Sequence, residues 1–318
     1  MSRLLIPLVA IILSAGVVAF ADETSEKAPT VDEIVASLKA KEEAIETLQV
    51  TCLYLGKFNF DILRPMLVEG VQLLDHATGV KRKADESWEV TRDGCGRMEA
   101  VIETITYSRA DGTEIAHNTK VVSTFNGVRG RHVTRRIAAD GSEAPGRAQL
   151  SRRFTRIHTS PFDMATQHDG TPISTFLTDG QAKLFGMEQW EDRPVVVVEL
   201  LPVTVREDYI YQHRIWVDVD RSTTVRRQTF VQCGEGKPWG LQYQVDATKF
   251  LEASPGIWLP TVVDVLNYSV TKIGPDFLVS DEHMEAADWR VNEKIDPSRF
   301  SPHASDPGED QLPEPNRR

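Results

Sequence analysis

The spacing of apolar and polar positions changes character several times along the chain. Leu4 to Phe20 is an almost unbroken apolar run. From Thr30 onward Val31, Ile34, Val35, Leu38, Ile45 and Leu48 recur at helical spacing, with Lys39, Lys41, Glu42, Glu43 and Glu46 on the other side. Thr30, followed three residues later by Glu33, forms a capping box that sets the start of this helix. One apolar stripe predicts an amphipathic helix lying on a core, most simply a sheet.

Beyond the helix the period drops to two. Val50, Cys52 and Tyr54 alternate with Gln49 and Thr51, and Met98 to Thr104 alternates as well. Asp111-Gly112 and Asn126-Gly127 each separate two strand-like runs, which is a strong short-hairpin signal. Val195 to Leu201 reads as a strand buried on both faces. Tyr209–Val219 and Thr224–Gln232 flank Asp220-Arg221-Ser222, and Leu241–Phe250 and Ile257–Tyr268 flank a turn at 252–256. Regular strands separated by turn signals predict one antiparallel sheet, curved or closed. The segment 161–186 differs: Thr171 to Leu177 starts a short helix with Pro172 at its first position, placed to cover one side of the sheet. From Pro297 the chain is polar and Pro-rich and is expected to be disordered.

The N-terminal run bears on location. Met1-Ser2-Arg3, the apolar stretch and Ala19-Phe20-Ala21 have the three-part layout of a secretory signal cleaved after Ala21. The competing reading is a retained membrane anchor. No Cys follows the run closely, so the lipid-modified type of signal is not indicated, and the expected location is the periplasm. The expected organisation is a signal peptide over 1–21, a flexible lead-in over 22–29, one β domain over 30–302 and a disordered tail over 303–318.

Composition adds two constraints. The 318 residues carry a formal net charge of -11, about -12 once Arg3 is removed. An acidic chain is a poor ligand for phosphate backbones, so no nucleic-acid partner is expected. Of the 3 cysteines, Cys95 and Cys233 sit in turn-like contexts. Either they pair or they are small unpaired residues, since sequence cannot show that two turns meet.

The sequence carries few motifs with chemistry. There is no Gly-x-Ser-x-Gly elbow, no His-Glu-x-x-His helix, no phosphate-cradling glycine loop and no Cys-x-x-Cys pair. His168-Asp169-Gly170 reads as a solvated loop, His213 as a sheet histidine, and Asp218 and Asp220 as hairpin residues. No catalytic residue, metal or cofactor is expected. One basic stretch interrupts the acidic chain: Arg129, Arg131, Arg135, Arg136, Arg147, Arg152, Arg153 and Arg156, opposed by Asp140 and Glu143. It reads either as a docking surface for an anionic membrane or acidic envelope partner or as strand arginines whose stems cover apolar surface. The five tryptophans from Trp190 to Trp289 are core residues or cavity walls.

The order of these elements, with Ile45-Glu46-Thr47-Leu48-Gln49-Val50, Phe125-Asn126-Gly127-Val128-Arg129-Gly130, the strand after Glu191-Asp192-Arg193-Pro194, Trp216-Val217-Asp218-Val219-Asp220-Arg221 and Gly256-Ile257-Trp258-Leu259-Pro260-Thr261, resembles the LolA-like superfamily of periplasmic lipoprotein carriers over about residues 30 to 302. The resemblance implies a mainly β fold: a strongly curved antiparallel sheet, an open or half barrel, with the N-terminal helix and a short helical insert covering its concave face. It also implies an apolar cavity for acyl chains and no catalytic residues. The chain departs from the small carriers in the extra residues around 140–186.

Under that resemblance the alternating faces Val50, Cys52 and Tyr54, Ile215, Val217 and Val219, and Val263 and Val265 should point inward and bind a lipid or an acylated protein, with Gln49 on the outer face. Two other functions stay open: an envelope-sensing module that regulates a protein partner, and a hydrolase assembled from dispersed residues such as His168, Asp169 and His213.

Overall fold

The helix begins where the capping box places it. In the computed structural model α1 spans Val31–Ala44; the Thr30 hydroxyl accepts from Glu33 N at 3.3 Å and the Glu33 carboxylate accepts from Thr30 N at 2.7 Å. The structure describes residues 28–59, 77–90, 97–109, 114–126, 130–138, 140–151, 161–168, 171–206, 209–234, 236–269 and 277–300. The signal-like run, Cys95, Asp111-Gly112 and the tail over 303–318 lie outside them.

Strands β1 (Thr47–Phe58), β2 (Ala77–Val90), β3 (Arg97–Arg109), β4 (Glu114–Asn126), β5 (Gly130–Ile137) and β6 (Arg147–Ser151) form one half of the sheet. An insert follows, with α2 (Pro161–Thr166), the two-residue strands β7 (Gln167–His168) and β8 (Thr171–Pro172), and α3 (Ile173–Asp179). Then come β9 (Lys183–Trp190), β10 (Arg193–Glu199), β11 (Val203–Arg206), β12 (Tyr209–Asp218), β13 (Thr223–Cys233), β14 (Trp239–Ser254), β15 (Ile257–Tyr268) and β16 (Leu278–Val291). Among the described residues fourteen strands make one sheet in the order β6-β5-β4-β3-β2-β1-β16-β15-β14-β13-β12-β10-β9, with β11 beside β12. Every pairing is antiparallel, and β6 and β9 end the path without meeting. The fold is the expected mainly β, curved and open sheet.

The turns follow local chemistry. Glu191 and Asp192 both have positive φ (47 and 64), the primed geometry that matches strand twist in a two-residue hairpin. Pro255-Gly256, with Gly256 at φ 75, joins β14 to β15; proline sets the first central residue and glycine takes the left-handed second one.

The concave face is packed where α1 and the insert lie on it. Ile34 and Leu38 of α1, with Ile173 and Leu177 of α3, pack against Val196, Val198, Ile215 and Val217. Met164 of α2 packs with Tyr54, Val245, Val263, Val265 and Met284. Ile45, Leu48, Val50 and Cys52 close the far end with Trp88 and Trp289. Val195 to Val198 are at most 1% exposed, so β10 is buried on both faces. Its second face packs on Trp216 and Val225.

Three expectations are corrected. Pro172 is the cap of α3 (φ -51, ψ 138) rather than its first helical residue, because its ψ is extended. Pro297–Phe300 forms a 3-10 turn instead of starting a disordered tail, since Phe300 is 1% exposed against Ile295. Gln49 points away from the Val50 face yet is 7% exposed, in a row with buried Ser87 and Thr124, so the outer face is not wetted there.

Candidate ligand cleft

Four register partners cross four strands to build the floor of a cleft. His213 of β12 faces Thr229 of β13, Thr229 faces Tyr243 of β14, and Tyr243 faces Asn267 of β15. These residues continue the faces that fill the core: Ile215 leads to His213, Val245 to Tyr243, and Val265 to Asn267, each two residues further along its strand. Where α1 and α3 no longer cover the sheet, the same face opens into a cavity of about 890 Å³. Tyr209, Tyr211, Val203 and Val205 extend one wall, and Leu200, Phe176 and His168 form the other.

Two further side chains line it beside strand irregularities. The register slips between Thr229 and Phe230, which adds Gln242 to the wall beside Tyr243. The β15–β16 register slips at Val279 of β16, between the Asn267 and Tyr268 pairs, and Tyr268 also lines the cleft. An extra residue in one strand re-aims its neighbours in this way.

The insert is pinned to the sheet by two contacts. Thr224 Oγ1 donates to the Met164 carbonyl at 2.5 Å, and Arg227 Nη1 donates to the Gln167 carbonyl at 2.6 Å. Arg227 Nη1 also lies 3.2 Å from His168 Nδ1. A guanidinium can only donate, so Nδ1 accepts and the imidazole proton sits on Nε2. Burial, then the charges of Arg227 and His213, push the His168 pKa down to about 2, so the ring is neutral. Its ring stands 4.1 Å from Phe176 and 5.0 Å, edge to face, from His213. His213 Nδ1 is 3.1 Å from the Thr229 hydroxyl. At the C-terminal end of α3, Gly180 lies so close to Leu200 and the Phe176 carbonyl that a Cβ would come within 2.2 Å of Leu200 Cδ2 and 2.9 Å of the Phe176 oxygen, so a side chain there would force this wall to shift.

The lining carries Tyr209, Tyr211, Tyr243, Tyr268, Phe176, Leu200, Leu201, Val203 and Val205, with His168, His213, Thr171, Thr229, Gln242 and Asn267 as polar groups. Among the described residues it contains no Asp, Glu, Lys or Arg. Among the described residues no group of three His, Cys, Asp or Glu is placed to hold a metal. The arrangement suits an uncharged or weakly polar ligand with a long apolar body.

Most of the residues singled out from the sequence lie elsewhere. Val50, Cys52, Tyr54, Ile215, Val217, Val263 and Val265 all point to the concave face, at most 3% exposed, and Val219 packs at the edge of the same core. None of the eight lines the cleft. Burial pushes the Cys52 thiol well up, as for an inert core residue. His168, read as a solvated loop residue, is instead half-buried in β7 under Arg227. Asp218 is 1% exposed and anchors Arg193 with Nε–Oδ2 at 2.6 Å, a structural use of a turn residue. None of the five tryptophans lines the cleft; Trp190 and Trp216 flank Arg226 on the convex side.

The arginine stretch does not form one patch among the described residues. Arg131 and Arg135 share a face of β5, Arg136 points to the other, and Glu143 pairs with Arg135 at 3.0 Å and with Lys120 at 2.6 Å. Adjacent strand residues take opposite faces. Arg129, Arg152, Arg153 and Arg156 lie outside the described residues, as does the side chain of Arg147.

No family model matches the chain, and no curated protein matches it. Among solved structures, a DUF1329 family protein from Desulfovibrio piger aligns over 86% of this chain and 97% of its own, with 13% identity and a TM-score of 0.47. The enduracididine biosynthesis enzyme MppR complexed with pyruvate aligns over 78% and 90%, with 9% identity and a TM-score of 0.14. At these scores neither likeness identifies the family of this chain.

Proposed function

We propose that this protein is an exported, non-enzymatic carrier of LolA-like type that holds an acyl chain, free or attached to a lipid or protein, in the concave cleft. The observation that carries the reading is a cavity of about 890 Å³ walled by tyrosines, Phe176 and aliphatic side chains, with no Asp, Glu, Lys or Arg among the described lining residues. That volume is in the range of small-molecule sites, roughly 300–1,000 Å³. Each methylene taken from water contributes about 0.8 kcal/mol, so a long chain binds without specific polar contacts. The open sheet, the packed helix α1 and the residue patterns quoted above are consistent with this class of carrier.

The test is organic extraction of protein purified from the envelope of its own cells, followed by mass spectrometry. Near-stoichiometric acyl lipid is the expected result. Protein that carries none, and takes up no fluorescent acyl probe at micromolar concentration, overturns the reading.

A second reading is favoured by one observation. Edge strand β9 exposes Leu184 (45%), Phe185 (53%) and Met187 (53%), and β11 exposes Val203 (51%) and Val205 (62%). Unpaired strand edges with apolar side chains are templates for another chain. On this reading the protein is an envelope-sensing module, and crosslinking from β9 in envelope fractions would capture its partner.

A further inference from the structure

β9 is an open edge of the sheet. Among the described residues no strand lies on its outer side, and all of its residues are exposed or half-exposed. Leu184 and Met187 stand opposite Val198 and Val196 and share their concave face. Lys183, Gly186 and Glu188 stand opposite Glu199, Val197 and Val195 on the convex face. Phe185 is the extra residue of a bulge, with the Arg214 guanidinium 3.9 Å from its ring centre.

The bulge gives this edge an unusual spacing of backbone groups. Trp190 and Arg193 flank the two-residue turn Glu191-Asp192, so they form a pair that exchanges backbone hydrogen bonds. Such pairs alternate along the ladder. Glu188 therefore bonds to Val195, whereas Gln189 and Met187 turn their N–H and C=O groups outward. Pro194, which has no N–H, stands opposite Gln189 as this requires. Beyond the bulge the next outward residue is Leu184. Leu184 and Met187 are thus three apart, where a regular strand offers bonding groups every second residue. A bulge blunts an edge against ordinary strands in this way. A second β9 carries the same spacing and matches it.

We propose that β9 pairs antiparallel with β9 of a second copy of this chain, about a two-fold axis between Phe185 and Gly186. In this register Leu184 exchanges backbone bonds with Met187 of the second copy, and the symmetry repeats the pair. The leucines and methionines of both copies then meet on the concave face. Phe185 lies across Gly186 of the second copy, where a Cβ would meet nothing within 4 Å. An aromatic ring over a cross-strand glycine is a favourable pair. Lys183 faces Glu188 of the second copy on each side of the axis, an opposite-charge pair. Glu188 Oε2 accepts from Trp216 Nε1 at 2.8 Å, which leaves Oε1 for the lysine. A register centred on Glu188 sets like charges against each other and is disfavoured. The pairing is independent of the acyl-binding reading.

Sedimentation equilibrium in 0.15 M salt, on protein purified from the envelope of its own cells, tests the pairing. One strand pair is a small interface, so a reversible dimer with a Kd on the order of ten micromolar is expected. Lys183→Glu and Glu188→Lys should each weaken it about tenfold or more, since each sets like charges opposite one another. An equimolar mixture of the two variants should dimerise with a Kd close to that of wild type, because the mixed pair has opposite charges at both positions. In wild type the Leu184 and Met187 amides should gain protection from hydrogen exchange as concentration rises, while the Glu188 amide, already bonded to β10, should not change. That measurement decides the matter if a variant fails to fold. Wild type that stays monomeric at 0.5 mM overturns the proposal, as does a dimer that either variant keeps or that the mixture does not restore. A different envelope protein crosslinked to β9 of a chain monomeric by itself overturns the second copy and keeps the partner reading.

Discussion

Lys41 Nζ donates to the backbone carbonyl of Trp258 at 2.7 Å, with the lysine only 6% exposed on the core face of α1. Next to it Glu42 accepts from the Ser174 amide at 3.0 Å and from the Ser174 hydroxyl, which ties α1 to α3. Burial takes the Lys41 pKa from 10.5 down to about 7, against the opposing pull of Glu42 and Asp218.

The helix is therefore anchored by a group whose charge is costly in place. Between about pH 7 and 10.5 the unfolded chain holds a proton that the folded chain has released, so stability rises with pH across that window. The slope approaches ~1.4 kcal/mol per pH unit. Urea midpoints of wild type and Lys41→Met, taken at steps from pH 6.5 to 9.5, should diverge in this sense. Parallel curves would sink the assignment.

His283 behaves in the opposite way. Its Nδ1 stands 2.7 Å from Asp264 Oδ1, its register partner on β15, and Glu285 is 3.5 Å from Nε2. Hydrogen bonding to Asp264 raises its pKa above 6.5. The pair's contribution is thus complete below pH 6.5 and disappears as pH climbs through the raised value. Asp264→Asn should lower Tm at pH 5.5 and leave it unchanged at pH 9. NMR titration of His283 gives an independent reading, and a pKa at or below 6.5 would contradict the contact.

Asp218 carries the β12–β13 turn. Its carboxylate accepts from Arg193 Nε at 2.6 Å and from the Arg221 amide at 3.1 Å. Arg193→Ala should cost about 1–2 kcal/mol of stability, at and below the low end of the range for hydrogen bonds to charged groups. The loss is smaller than for a fully buried pair because Arg193 is 34% exposed and the Arg221 guanidinium remains 3.8 Å away. A chemical denaturation curve indistinguishable from wild type would show that the Arg193 contact adds nothing to what Arg221 already supplies to Asp218.

Val217 and Tyr211 lie on the same face of β12 but in different surroundings. Val217→Glu puts a carboxylate among Ile34, Leu38 and Ile173 and should unfold the helix-covered half of the sheet. Tyr211→Glu puts one in the open cleft and should leave the circular dichroism spectrum and Tm near wild type while reducing uptake of a fluorescent acyl probe by tenfold or more. If Tyr211→Glu binds the probe normally, the cleft is not the acyl site.

Much of the architecture was legible one segment at a time. Thr30 and Glu33 announced the start of α1 because capping chemistry is local. Alternation put Val50, Ile215 and Val263 on the concave face because side-chain direction in a strand has a period of two. Turn residues marked the hairpins for the same reason. What tertiary structure alone decided is where along each strand that face stops being core and becomes cleft. The border between Ile215 and His213, or between Val265 and Asn267, is drawn by how far α1, α2 and α3 extend over the sheet, and by the Arg227 contact that brings His168 from a distant insert. The bulge that places Gln242 in the wall breaks the alternation on which sequence reading depends, so that residue had no signal of its own. A face is a property of one strand, whereas an opening is a property of everything packed around it.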